Sequence, residues 1–252
     1  MAGKLMDGVW HPDLLDRFPM NPNVMVRDLD EERLDLLLTY VAETGRSDSL
    51  SAFISGVVDR HPKYLRVKEL FETFEAYRRI GQAIYEQWRE GNVETIYDLA
   101  CGHGLLGILL AWRFPALRVV CVDRERRPAF DHYLEIVREQ AVPMENVEYI
   151  ESDFNDVELG PRPYVICIHA CNEGTRDAME MAVAANACFA AMPCCIRDRL
   201  YLRRINHLDD VKRYTAAVGV IAGRYGAYKI TAIDERITNR NLIILGAPAP
   251  SS

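Results

Sequence analysis

The residues best placed to do chemistry in this 252-residue chain begin with three glycines. Gly102, Gly104 and Gly107 form a G-x-G-x-x-G between an apolar run and a helical pattern. Such a turn brings backbone N–H groups at a helix N-terminus up to a ligand, either a diphosphate or the amino-acid end of a nucleoside cofactor. Three acids, Asp98, Asp123 and Asp153, stand at the ends of three successive apolar runs. Asp123, roughly 20 residues beyond the first glycine, suits ribose hydroxyls under either ligand. His169, Cys171 and Asn172 follow a fourth run, and Cys194 and Cys195 a fifth. The imidazole of His169 suits a general base near neutral pH; alternatively it orders its loop while the reaction proceeds through positioning alone. The cysteines suit small buried residues better than a thiolate or metal site with His169 or His103, because no C-x-x-C pair is present. No metal is expected.

These groups need a scaffold that brings run after run to one edge. From Val93 onward, strand-like stretches ("TIYDLA", "RVVCVD", "VEYIES", "YVICIHA", "CFAAMPC", "YKITAIDERI", "NLIILG") alternate with helical patterns at 105–114, 127–140, 174–186 and 209–225. Alternation of this kind predicts a largely parallel sheet with helices on both faces. Only Thr238, Asn239 and Arg240 separate the last two strand stretches, too little for a crossover, so those strands must be antiparallel. Residues 1–92 read as a helical N-terminal extension, with one helix opening at Asp28 in "DLDEERLDLLLTYVAETG" and another stopping near Gly91. The expected division is that extension, a core over 93–247 and a disordered tail over 248–252.

A parallel sheet closed by an antiparallel hairpin resembles class I S-adenosylmethionine (SAM)-dependent methyltransferases, where a nicotinamide-dinucleotide fold would stay parallel. The stretch Asp98 to Gly104, D-x-A-x-G-x-G, resembles the first motif of those enzymes, in which the acid helps order the loop around the SAM amino group. Asp153 with Phe154 resembles the motif that contacts adenine. The cofactor-binding set this implies is Asp98, Ala100, Cys101, Gly102, Gly104, Asp123, Arg124, Asp153, Phe154 and His169. The fold it implies is α/β, a Rossmann-like seven-stranded mostly parallel sheet with an antiparallel last strand.

Two further stretches, "HACNEGTRDA" and "PCC", resemble the branch with H-A-C-[DG]-x-x-T-D after strand four and P-C-C after strand five. Matching residues are His169, Ala170, Cys171, Thr175, Asp177, Ala178, Pro193, Cys194 and Cys195. Asn172 stands where that branch has Gly or Asp, and Arg176 replaces an acid. The branch holds bacterial methyltransferase-domain proteins and, more distantly, tRNA 2′-O-methyltransferases. It implies catalytic roles for His169, Cys171 and Asn172.

Substrate contacts are expected from "IRDRLYLRRINHLDD", through Arg197, Arg199 and Tyr201, which suit a carboxylate, a phosphate or an RNA backbone. Lys63, Tyr64, Arg66 and Lys68 are candidates for covering the cofactor or holding its carboxylate. A formal charge of −7 disfavours nucleic acid as a bulk partner, so a small-molecule acceptor leads, with tRNA or rRNA and a non-catalytic SAM-binding protein as alternatives. Seven cysteines without regular spacing, no signal peptide and no membrane-length apolar run point to a soluble cytoplasmic protein.

Overall fold

The computed structural model describes residues 14–140, 142–170, 173–195, 201 and 207–248. The predicted strands form one sheet: β1 Thr95–Leu99, β2 Arg118–Asp123, β3 Val147–Glu151, β4 Pro163–Ile168, β5 Cys188–Met192, β6 Lys229–Ala232 and β7 Leu242–Gly246. Their order is β3-β2-β1-β4-β5-β7-β6. All pairings are parallel except those of β7, which runs antiparallel to both β5 and β6.

Helices cover both faces, as parallel strands require. Successive strand residues face opposite ways. Ile96, Val119, Cys121 and Ile166 point into a core built with α1 (Glu31–Gly45), α2 (Asp48–Arg60), α3 (Val67–Arg89), α4 (Leu105–Arg113) and α5 (Pro128–Glu139). Tyr97, Val120, Val122 and Val165 point into a second core with α6 (Glu173–Ala184) and α7 (Asp210–Arg224). The N-terminal helices therefore share one core with a sheet face. Their buried positions recur at helical spacing, as in Leu36, Leu37, Tyr40, Val41 and Thr44 of α1.

Two boundaries differ from expectation. The first helix starts after Asp30, whose carboxylate accepts the Arg33 N–H, while Asp28 accepts the Met25 N–H and closes a preceding 3₁₀ turn. The final hairpin is wider than its sequence suggested, because β6 stops at Ala232. Asp234 accepts the backbone N–H and guanidinium of Arg236, and this local turn competes successfully with the ladder. The residues between β6 and β7, Thr238 to Arg240 included, become a wall of the site. Among the described residues no helix is long and apolar enough to cross a membrane.

Candidate functional site

The glycine turn leaves β1 through a left-handed step at Ala100 (φ 56°), followed by Gly102 (57°) and Gly104 (70°). Two of the glycines are dictated by contact. A Cβ on Gly104 would lie 2.6 Å from the Phe130 ring, and one on Gly107 2.2 Å from Cys121 Sγ, where α4 presses on β2. At Gly102 a Cβ would meet nothing within 4 Å, so that position faces open space. The loop is tied from the neighbouring strands: Gly102 N–H donates to Asp123 Oδ2 at 2.9 Å, and the Tyr149 hydroxyl lies 2.9 Å from Gly102 O.

Asp98 lies beneath this turn, 3 % exposed. Its Oδ2 has no hydrogen-bond partner, and burial raises its carboxyl to about 7, with the Gly107 N–H opposing and Asp123 adding to the rise. A buried carboxylate oxygen lacking a partner is an electrostatic vacancy for a cation. The ammonium of SAM fits that requirement, and Asp123 at the tip of β2 offers acceptors for ribose hydroxyls.

Two cavities flank the β1 exit and share Ala100. The larger, about 810 Å³, runs from the glycine turn past His169, Cys194 and Cys195 to Thr238, Asn239 and Arg240. The smaller, about 280 Å³, is lined by Asp123, Arg124, Phe154 and Asp177 among others. Asp153 does not line it: its carboxylate caps the short turn at Asn155 and receives Arg124 at 2.6 Å, and these bonds, the Asn155 N–H first, hold its carboxyl below the usual range.

His169 leaves β4 as Ala100 leaves β1, in a left-handed conformation (φ 57°). Its Nε2 lies 3.8 Å from Oε2 of Glu72, a residue of α3 that also takes Lys68 Nζ at 3.1 Å. Burial lowers the His169 pKa, against an upward pull from Glu72, so the ring is neutral at pH 7. Thr175 at the start of α6 donates to Ala170 O at 2.5 Å and pins the loop that carries the imidazole. Arg176 forks onto its neighbour Asp177 at 2.6 and 2.8 Å, so the two side chains neutralise each other.

Glu72 and Glu69 belong to the larger cavity but went unnoticed in the sequence. The available signal was acids at buried positions of an amphipathic helix, where Glu72 and Glu75 interrupt Leu70, Phe71 and Phe74. Tyr64, Arg66 and Lys68 line the same cavity, whereas Lys63 sits 5.0 Å over the Tyr64 ring. Tyr201 packs on the second core, away from both cavities. Cys171, Asn172, Arg197 and Arg199 lie outside the described residues, as do 249–252 of the expected tail.

Cys101 and Cys121 hydrogen-bond to each other, and Cys188 Sγ meets Gln87 Oε1 at 3.4 Å, contacts typical of packed thiols. Among the described residues the metal-capable cluster is His61, His132 and Glu135, with donor atoms within 4.8 Å of one another; it contains no cysteine.

In comparisons with known proteins, the chain resembles a Xenopus laevis glutathione S-transferase C-terminal domain-containing protein, 28 % identical over 104 residues. The match covers 40 % of this chain, and the chain spans about 16 % of that protein's length. A magnesium protoporphyrin IX methyltransferase from Synechocystis with bound SAM superposes with a TM-score of 0.47 at 15 % identity, covering 84 % of this chain and 97 % of that one. An rRNA methylase from Streptococcus thermophilus gives 0.41 at 16 % identity, covering 63 % and 89 %. Residues 63–199, more than half of the chain, match the family described as "Methyltransferase domain". The chain belongs to that family, as a class I methyltransferase domain whose cofactor is SAM.

Proposed function

We propose that this protein transfers a methyl group from SAM to a small-molecule acceptor bound in the larger cavity. The observation that carries the proposal is the continuity of that cavity, from the glycine turn to a neutral imidazole backed by Glu72. Bound SAM supplies an electrophilic methyl group on a sulfonium. Asp98 and the Gly102–Gly104 turn would hold its amino-acid end, Asp123 its ribose, and Phe154 with Arg124 the rim around its base. His169 would take the proton from an acceptor hydroxyl or amine, and Glu72 would orient the ring and stabilise its charged form. Cys194 and Cys195 would shape the wall opposite α3.

The size of the cavity, about 810 Å³ between α3, the glycine turn and the 238–240 turn, supports a small acceptor. We also infer membership of the branch with the H-A-C and P-C-C motifs. Both motifs reach one cavity here, and the motif threonine Thr175 ties the first loop to its helix. Cys101, Cys121, Cys188 and Cys195 are thiols outside any disulfide, which supports a reducing, cytoplasmic setting.

Calorimetry with SAM and S-adenosylhomocysteine tests the cofactor half, and a radiolabelled-methyl screen over carboxylate- and phosphate-bearing metabolites, then tRNA, tests the acceptor half. Transfer to tRNA alone would overturn the small-molecule reading. Cofactor binding without turnover on any acceptor class would leave a non-catalytic SAM-binding protein.

A further inference from the structure

A third cavity, of about 670 Å³, opens at the opposite edge of the sheet, where the strands begin. Its lining residues Lys229 and Leu245 pair with each other, and Leu245 pairs with Ala190 of β5. Other walls are the α1–α2 corner, the second half of α3 and the end of α4.

The charge there is unbalanced. Five cations line the cavity, Arg46, Arg78, Arg79, Arg113 and Lys229, against two acids, Glu43 and Glu86, in a protein whose net charge is −7. Arg78 is bound by Glu75 at 2.7 Å. Among the described residues, Arg46, Arg79, Arg113 and Lys229 enter no salt bridge. Arg79 is half-buried, with its Nε out of solvent and without a hydrogen-bond partner. Burial, then the charge of Arg78, pulls its pKa down. Arg113 lies 5.3 Å over the Tyr77 ring, in a niche that exists because residue 81 is glycine; a Cβ there would come within 2.3 Å of its Nη1. Both guanidiniums are half-buried and outside any salt bridge; the more distant charge of Glu75 beside Arg79, and the ring and hydroxyl of Tyr77 beside Arg113, offset only part of the lost hydration. The complement this cavity lacks is an anion.

The remaining walls say what kind. Tyr228, 49 % exposed, and Trp112 present rings beside the cations. The volume suits a molecule of nucleotide size, and Glu43 and Glu86 share the lining with the cations. We propose that this cavity binds a nucleoside diphosphate, its phosphates forked by Arg79 and Arg113 and its base lying against Tyr228 or Trp112. Guanidinium forks match phosphate oxygens in pairs, which gives direction as well as charge. The site is separate from the cofactor cavity, and the proposal does not depend on the methyl acceptor.

The test is calorimetry on the full chain with ADP, GDP, pyrophosphate, inorganic phosphate and a single-stranded 20-mer RNA, with S-adenosylhomocysteine as the check on the other cavity. One site for ADP or GDP in the micromolar range, weakening as salt rises, is expected, with inorganic phosphate at least roughly ten-fold weaker. Arg79→Gln and, separately, Arg113→Gln should each weaken the nucleotide about ten- to hundred-fold and leave S-adenosylhomocysteine unchanged. Should either lose its native circular dichroism, Lys229→Gln on the exposed edge strand replaces it, with a several-fold loss expected. No saturable nucleotide binding at 1 mM, equal affinity in the variants, or phosphate binding as tightly as the nucleotide would each overturn the proposal. RNA binding tighter than either nucleotide and lost in the same variants would overturn it in favour of an RNA-docking cavity.

Discussion

Asp98→Asn puts the cofactor argument and the stability of the fold on one axis. Burial, the largest cause, raises the Asp98 carboxyl from 3.8 to about 7. The native state thus holds this proton more tightly than the unfolded chain does. The stability so contributed is fully present below about pH 4 and is lost progressively as pH rises to about 7. Across roughly three pH units at 1.36 kcal/mol each, that loss is ~4 kcal/mol. Asparagine has no proton to exchange. Urea unfolding of both proteins at half-unit steps should therefore show the stability of the native chain, relative to Asp98→Asn, falling by about 3–4 kcal/mol between pH 4 and 7.5. The same substitution removes the buried carboxylate proposed to meet the cofactor's ammonium, so S-adenosylhomocysteine affinity should drop at least roughly ten-fold. A stability difference that stays flat with pH refutes the buried-carboxylate reasoning; unchanged affinity refutes the assignment of the cofactor's amino end.

Asp123→Ala removes both the acceptor that ties down Gly102 N–H and the proposed ribose contact; calorimetry should show S-adenosylhomocysteine binding weakened about ten- to hundred-fold, and a smaller change would separate Asp123 from the cofactor. In native protein the His169 ring should titrate below 6.5 by NMR, and Glu72→Gln should lower it further, because the Glu72 charge pulls it upward; a rise on substitution would break the proposed pair. Gly104→Ala combines a left-handed φ of 70° with a Cβ 2.6 Å from Phe130, so a loss of about 2–3 kcal/mol in chemical unfolding is expected, and a neutral result would mean the turn relaxes freely.

What the sequence disclosed was what neighbouring residues decide together. The step from Asp98 through Gly104 is a local strand-to-helix turn, and the structure builds it from those residues. Asp123 at a strand tip was equally visible, since a strand end and an acid are read from one short stretch. What surrounds Asp153 was less legible: its carboxylate is engaged by Arg124, 29 positions back, and by its own turn. Glu72 escaped notice because its meaning comes from His169, 97 positions away in the chain, through packing of α3 across the mouth of β4. The 238–240 wall escaped for the opposite reason. A local Asp234–Arg236 turn, not periodicity, set where β6 ends. The third cavity had no local signature at all, because its cations come from α3, α4, β6 and the α1–α2 corner.

Two of the five left-handed non-glycine residues among those described, Ala100 and His169, explain why the site is where it is. Left-handed backbone at a non-glycine residue costs ~1–3 kcal/mol, and the chain adopts it at the exits of two adjacent parallel strands, at Ala100 and His169. From β1 the chain turns to α4, which packs in the core shared with α1–α3; from β4 it turns to α6, on the other face. The strand order reverses between those strands, so their connections part and leave a crevice at their carboxyl ends. Each sharp turn is held from a neighbouring strand, Cys101 N–H by Val122 O and His169 N–H by Met192 O, both at 3.1 Å. An ordinary extended exit would carry the chain straight past the crevice. The left-handed steps bring the glycine turn and the imidazole to line one cavity, and the sheet that is stabilised elsewhere by its two cores tolerates the strain.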